Sequence, residues 1–344
     1  MKMNIKTGKV DMSHGAGGRA MANLIQELFV KHLDNEFLLQ GNDAASFKLP
    51  MDRGAGRMVM ATDGHVISPM FFPGGDIGGL SVHGTINDVA MMGARPLYLA
   101  AGFILEEGFP LADLERIVIS MAEAASAAGV SIVTGDTKVV EQGNGDGVFI
   151  TTTGIGTVPE GVNISCDRAR AGDAVLISGS MGDHGIAILS KRENLEFDTA
   201  IESDSAALNG LVTDMVKAVR QIHCLRDPTR GGLATTLNEL ATQSEVGMQL
   251  DESAIPVKPQ VAAACELLGI DPLYVANEGK LIAICAEEDA ANLLSIMRDH
   301  PLGREAAVIG RVVADRHHLV QMETRFGGQR VVDWLAGEQL PRIC

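Results

Sequence analysis

An α/β fold in two domains is the architecture this sequence predicts, and three observations lead to it. At 344 residues the chain is too long for one typical compact domain. Short apolar runs of strand character alternate with amphipathic helical patterns in both halves, which reads as α/β or α+β layers in each. A polar stretch, PEGVNISCDRARAG at 159–172, separates the two halves. The expected units are residues 1–160, residues 161–336 and a flexible tail, 337–344. Hydrophobic residues make up 46% of the chain, enough for two cores, and 39 glycines with 4% aromatics suit backbone-lined loops better than an aromatic binding surface.

The elements follow in order. Met21, Leu24, Ile25, Leu28 and Phe29 fall at helical spacing within 20–33. Residues 57–61 (RMVMA) read as a strand ending in the loop Thr62-Asp63-Gly64. Pro73-Gly74-Gly75 breaks the chain before a helix over 77–92, and a strand follows at 97–105. Pro110 opens a long helix that stops at Gly129. Residues 130–134 form a strand leading into Gly135-Asp136-Thr137-Lys138, and 148–157 form another. The second half begins with a strand at 174–178 and the Gly-rich turn SGSMGDHG. Helical patterns lie at 208–219, 233–241, 260–268 and 290–297, with strands at 246–250, 281–285 and 307–313. The sequence ends on an extended segment, GEQLPRIC.

Charge narrows the function. A net charge of −16 repels nucleic-acid phosphates, so no DNA or RNA partner is expected. The same field repels a nucleotide, so a nucleotide site must bring Mg²⁺, Lys or backbone N–H groups. No run reaches the roughly 18 apolar residues of a membrane span, and MKMNIKTGKVDMSHG lacks the apolar stretch of a secretory signal. A cytoplasmic protein with no membrane partner is expected. The five cysteines, Cys166, Cys224, Cys265, Cys285 and Cys344, show no C-x-x-C spacing, which indicates neither a zinc site nor a disulfide framework.

No G-x-x-x-x-G-K-[ST] occurs, and no G-x-G-x-x-G stands between a strand and a helix, so the familiar phosphate cradles are excluded. What the chain offers is a set of acids at element ends: Asp43 in GNDAA, Asp63 in ATDGH, Asp88 in TINDVAMMGARP, Asp136 in GDTKV and Asp227 in RDPTRGG. Each alone reads more readily as a turn or cap residue. Together they suit Mg²⁺, which prefers carboxylate oxygens and bridges to phosphates. Lys138 follows Asp136 where a cation could reach a phosphoryl group. Glu278 lies in Ala-Asn-Glu-Gly-Lys at the mouth of a strand, and the Gly loop from Ser13 to Gly18 could fold over phosphates. Cys344 closes the sequence after Leu340-Pro341-Arg342-Ile343, and a prenylation box would need Cys fourth from the end. Ten residues after Trp334 extend by about 30 Å, the reach of a swinging arm that presents an exposed thiol to another site.

The segments SHGAGG, FFPGGDIGGL, NDVAMMGARP, GFILEEG, VTGDTKVV, RDPTRGGL, PVKP, ANEGKL, HPLG and PRIC together resemble the HypE family of hydrogenase maturation proteins, over nearly the whole chain. That family stands within the PurM-like, AIR synthetase-like ATP-binding superfamily. The resemblance implies a two-domain PurM-like fold, a homodimer formed through the N-terminal domains, and a carbamoyl dehydratase that uses ATP and Mg²⁺. A carbamoyltransferase, HypF, would load a carbamoyl group on Cys344. ATP would phosphorylate the amide oxygen, and loss of phosphate with the nitrogen protons would leave a thiocyanate. A HypC–HypD complex would accept the cyanide for the iron of a [NiFe] hydrogenase. By the same resemblance Lys138 steadies the transferring phosphoryl group and Glu278 takes the amide proton. His14, Gly15, Gly17, Asn87, Thr137 and Asp227 would contact the nucleotide, and Asp43, Asp63, Asp88 and Asp136 the metal. Asn42 stands where more distant members often carry a second acid, and His65 is given no role.

Two other readings stay open on the residues alone. One is a selenophosphate or aminoimidazole ribonucleotide synthetase of the same superfamily. The former needs a cysteine or selenocysteine near the Gly loop, yet no cysteine precedes Cys166, and neither explains PRIC. The other is a docking subunit whose tail binds a partner without chemistry.

Overall fold

The computed structural model describes residues 18–24, 26, 42, 44–48, 57–195, 201–337 and 342–344. His14, Gly15, Gly17 and Asp43 lie outside them. The first half comprises α1 (Arg19–Leu24), β1 (Ala45–Lys48), β2 (Arg57–His65), β3 (Phe71–Phe72), β4 (Gly75–Asp76), α2 (Ile77–Met91), β5 (Arg95–Glu106), α3 (Leu111–Ala127), β6 (Ser131–Val140) and β7 (Val148–Val158). One sheet has the order β1-β2-β7-β5-β6, and within it only β5 and β6 run parallel, joined by α3 as crossover.

The second half adds β8 (Ala174–Ile177), α4 (Asp183–Arg192), α5 (Asn209–Ala218), β9 (Ile222–Arg226), α6 (Gly232–Gln243), β10 (Gly247–Asp251), α7 (Pro259–Leu268), β11 (Ile282–Cys285), α8 (Glu287–Asp299), β12 (Ala307–Val313), β13 (Val320–Glu323) and β14 (Gln329–Val331). Its seven strands are ordered β14-β13-β10-β12-β8-β11-β9. Among the described residues, no helix is long and apolar enough to cross a membrane.

Two expected loops turn out to be strand. β7 pairs with β2 from Arg57↔Val158 to His65↔Ile150, and β5 pairs with β6 from Tyr98↔Ser131 to Glu106↔Val140. These ladders satisfy the backbone through Asp63-Gly64 and Gly135-Asp136, so tertiary pairing overrides the local turn preference. In β2, Val59, Ala61 and His65 are buried while Met60, Thr62 and Gly64 are exposed. That alternation carries Asp63 onto the inner face.

α2 is the spine between the halves. The Asp76 side chain caps it, accepting from the N–H groups of Gly78 at 2.7 Å and Gly79 at 3.1 Å. Every residue of α2 except His83 and Asp88 is buried, because the helix lies against β2, β7, α3, α5 and β9. Its end enters the core of the second half, where Ala90 and Met91 pack with Leu208, Leu211 and Leu225. Its start shares a cluster with Ile188 of α4, Ala276 and Ile343. The helices cover one face of the first sheet. On that sheet Met60, Tyr98 and Ile104 stay exposed, and β6 forms a bare edge with Val133 and Val139 in the open.

α2 and α3 cross closely because position 78 has no side chain: a methyl group there would overlap the Ile117 carbonyl oxygen. Gly78→Ala should therefore lose about 1–3 kcal/mol by overpacking, seen as a lower urea midpoint. An unchanged midpoint would show that the crossing yields.

Candidate active site

Three loops meet over α2, and one buried carboxamide joins them. Asn277 Oδ1 accepts from the Gly182 N–H at 2.7 Å, and its Nδ2 donates to the carbonyls of Pro228 at 3.0 Å and Val275 at 3.1 Å. The turn before α4, the loop between β9 and α6, and the ANEGK segment are thus fixed at one point. Glu278 comes next. Its N–H donates to Asp204 Oδ1 at 3.0 Å, and Asp204 Oδ2 lies 3.2 Å from Lys280 Nζ in a buried ion pair. Gly279 permits this approach, since a methyl group there would overlap the Asp204 carbonyl oxygen.

Asn87 serves the same purpose from below. Its Nδ2 donates to the carbonyls of Ala206 at 3.0 Å and Glu278 at 3.2 Å, while its Oδ1 accepts from the Leu208 N–H at 2.8 Å. Sequence reasoning expects Asn87 on the nucleotide. With both N–H donors on backbone carbonyls, its evident work is to hold Glu278.

Several of the acids gathered here lie around Arg230. Glu278 is buried, and its Oε1 has no hydrogen-bond partner among the described residues. Burial pushes its carboxyl well up from the usual range, and the charges of Asp227, Asp63 and Asp204 add to that while Arg230 opposes it. Burial likewise lifts Asp227 to about 6. Burial works on Asp63 too, but the neighbouring His65, together with Arg230 and the Gly64 N–H, leaves its carboxyl lowered. His65 Nε2 lies 3.2 Å from Asp63 Oδ2. Gly84 of α2 makes room for that pair, since a Cβ there would stand 2.9 Å from His65 Nε2. Asp88 follows one helical turn later. Arg230 feels Cys344, Asp63, Glu278 and Asp88 at once, and that company holds its guanidinium proton more tightly than usual. The chain turns sharply after it, through Gly231 at φ 81° and Gly232 at φ 62°.

Residues 342–344 are seated in this cleft, whereas the sequence reading expects an exposed arm. Ile343 forms an antiparallel bridge with Ile67. The Val66 N–H donates to the Cys344 carbonyl at 3.0 Å, and the Ser68 N–H to that of Arg342 at 3.2 Å. Arg342 pairs with Asp146. The half-buried Cys344 thiol lies close enough to Glu278 for the two groups to act on each other. Burial drives its pKa far up, with Glu278 and Asp63 adding and Arg230 opposing. The seated sulfur is therefore a thiol.

Asp136 and Lys138 stand apart from this group. They pair at 2.5 Å on β6, with side chains 69% and 68% exposed. Lys138, then the Thr137 N–H, holds the Asp136 carboxyl below its usual range. Among the described residues, no group of three or more His, Cys, Asp or Glu side chains is placed to hold a metal ion by itself. The donors that are gathered, Asp63 and Asp88, are hard oxygens. They suit Mg²⁺, which needs only one or two carboxylates beside phosphates and waters. Sequence reasoning misses Arg230 and gives His65 no role. The double glycine after Arg230 is the signal that could have marked it, since two adjacent left-handed residues fix the direction of what precedes them.

Models of the AIR synthase related protein family match the chain in two parts, the N-terminal domain over residues 41–158 and the C-terminal domain over residues 170–323. A carbamoyl dehydratase HypE of Cupriavidus necator is 72% identical over 342 residues, covering 99% of this chain and 97% of that protein. A crystal structure of a HypE–HypF complex superposes with a TM-score of 0.85 at 49% identity, covering 91% of this chain and 99% of that one. One of the hydrogenase maturation protein HypE in complex with ATP has a TM-score of 0.82 at 53% identity, covering 98% and 100%.

The raised carboxyl of Asp227 has a consequence for stability. Its folded pKa of about 6 exceeds the ordinary 3.8, so its contribution is whole below about 4 and is lost as pH rises through 6. Asp227→Asn should gain roughly 1–3 kcal/mol at pH 7.5 and nothing near pH 3.5. Urea titrations at the two pH values measure this. Equal gains at both would assign the effect to something other than the carboxyl's charge.

Proposed function

The chain belongs to the carbamoyl dehydratase HypE family, and on that premise we propose that it dehydrates a carboxamide held on its own Cys344 to a nitrile, with ATP as co-substrate. The observation that carries this reading is the seating of the Cys344 thiol beside Glu278 within the cleft. A carbamoyl group on that sulfur would meet the Glu278 carboxyl. Because burial raises its proton affinity, the ionised Glu278 is a stronger base than a carboxylate in water, suited to removing amide protons. Asn87 and Asp204 hold its backbone while it does so. Arg230 offsets the repulsion among Glu278, Asp63 and Asp88 and stands beside the sulfur.

The net change converts the S-carboxamide and ATP into thiocyanate, ADP and phosphate. ATP, when bound, supplies the phosphoryl group that makes the amide oxygen a leaving group. Asp63 and Asp88 are the described residues best placed to hold Mg²⁺, with Asp43 and Asp136 as further expected ligands, and the ion would screen the phosphates. His14, Gly15 and Gly17 are assigned to the nucleotide with Thr137 and Asp227. The HypE–HypF complex among the relatives supports a HypF-like carbamoyltransferase as the loading partner. A HypC–HypD complex is proposed to take the cyanide group toward the iron of a [NiFe] hydrogenase. The cytoplasm, where thiols stay reduced, suits a carrier cysteine.

Lys138 reaches such a site through a second copy of the chain. The bare β6 edge and the exposed apolar residues of the first sheet are features that association covers. A homodimer through the first sheets would bury them and carry Thr137, Asp136 and Lys138 toward the partner's cleft.

Two measurements test this. Glu278→Gln should load a carbamoyl group at the normal rate yet form thiocyanate at least about a hundredfold more slowly, as intact-mass analysis would show. Normal thiocyanate formation would place the base elsewhere. For Lys138, mixing inactive Lys138→Ala with inactive Glu278→Gln under exchange conditions should restore roughly a quarter of wild-type activity, from mixed dimers with one complete site. No restoration, despite exchange seen by mass, would place Lys138 in the cleft of its own chain.

A further inference from the structure

Two side chains of α4 take no part in the chemistry above, yet both grip the tail. His184 is fully buried, edge-on to Phe72 with ring centroids 5.6 Å apart. Its Nε2 lies 2.7 Å from the Ile343 carbonyl oxygen and its Nδ1 lies 2.7 Å from Ser203 Oγ. A carbonyl only accepts, so Nε2 carries the hydrogen, and in a neutral ring Nδ1 then accepts from the Ser203 hydroxyl. Burial keeps the ring neutral by lowering its pKa, against the opposing pull of Asp204 and the Ile343 carbonyl. Ser203 is itself fixed from the first half, its N–H donating to the Pro73 carbonyl at 2.9 Å.

Arg192 lies eight residues on and so faces the same side of the helix. Its guanidinium donates to the carbonyls of Ser68 at 2.6 Å and Arg342 at 2.8 Å. Successive tail carbonyls are thus held by one helix face, the outer one by Arg192 and the inner one by His184. The inner bond is made one residue before the thiol.

We propose that His184 is the positioning residue that seats Cys344: its bond to the Ile343 carbonyl, in the tautomer set by Ser203, fixes the sulfur against Glu278. The consequence for catalysis rests on the function proposed above, but the seating does not. Without that donor the Ile343 carbonyl would be buried and unpaired, and the seated arm would lose ground to the released one.

Iodoacetamide labelling of the full-length protein, mapped on its cysteine peptides, reads the position of the arm directly. His184→Phe keeps the ring's bulk and removes the donor, and it should raise the Cys344 alkylation rate about tenfold. His184→Gln restores an N–H and should return the rate toward wild type. Ser203→Ala, which frees the tautomer, should raise it less. Cys166, Cys224, Cys265 and Cys285, all buried, should stay unlabelled throughout. In a second arm, His184→Phe should load carbamoyl at no less than the normal rate but convert it about tenfold more slowly. Wild-type Cys344 alkylation in both His184→Phe and Ser203→Ala would overturn the proposal. So would labelling of the four buried cysteines in step with Cys344, which would signal general loosening. If alkylation changes as expected but wild-type protein forms no thiocyanate, the seating role stands and the proposed reaction falls.

Discussion

Asn277 is buried with its oxygen on the Gly182 N–H and its nitrogen on the carbonyls of Pro228 and Val275, so loops from three parts of the sequence share one anchor. Each bond satisfies a backbone group that has no water to turn to, and losing the amide would strand all of them at about 1–3 kcal/mol apiece. Three of the residues that shape the cleft hang from that point. Glu278 is the next residue, Arg230 follows the Pro228 it binds, and His184 lies just beyond Gly182. The cleft is a consequence of satisfying one buried side chain between two sheets.

What that anchor holds together is electrostatically uncomfortable. Glu278, Asp227, Asp63 and Asp204 push on one another, and burial raises Glu278 and Asp227 against their ordinary values. Arg230 offsets part of this. Such an arrangement is poor for stability and good for proton transfer, because the group most reluctant to ionise becomes the strongest base once it does. It also accords with the nucleotide proposed for this cleft in a chain of net charge −16: a cation bound with the phosphates would relieve the acids that receive it.

The parts of the fold legible in the sequence are those with a solvent side. α3 and α8 show apolar stripes against polar faces, and β12 spans the residues its pattern marks, 307–313. α4 is buried on nearly every side, so no polar face betrays a period, and its glycines suggest only a turn. The same limit applies to the site. Asp63, Glu278 and Cys344 announce themselves by neighbours and position. The role of Asn87 depends on carbonyls far along the chain, and that of His184 on a tail residue 159 positions away. Local context carries no trace of such partners.

The seat of the tail is made from backbone. Val66, Ser68, His184 and Arg192 all bond to main-chain atoms of 342–344, and of the side chains there Ile343 lies in the core with Cys344 packed against it. Main-chain bonds are blind to side-chain identity but strict about register, because successive residues of a bridged strand point to opposite sides. One residue inserted between Ile343 and Cys344 would turn the sulfur away from Glu278 without removing a single chemical group. The cleft therefore acts as a gauge of length. It admits a thiol by counting its distance from Ile343, whatever that sulfur carries.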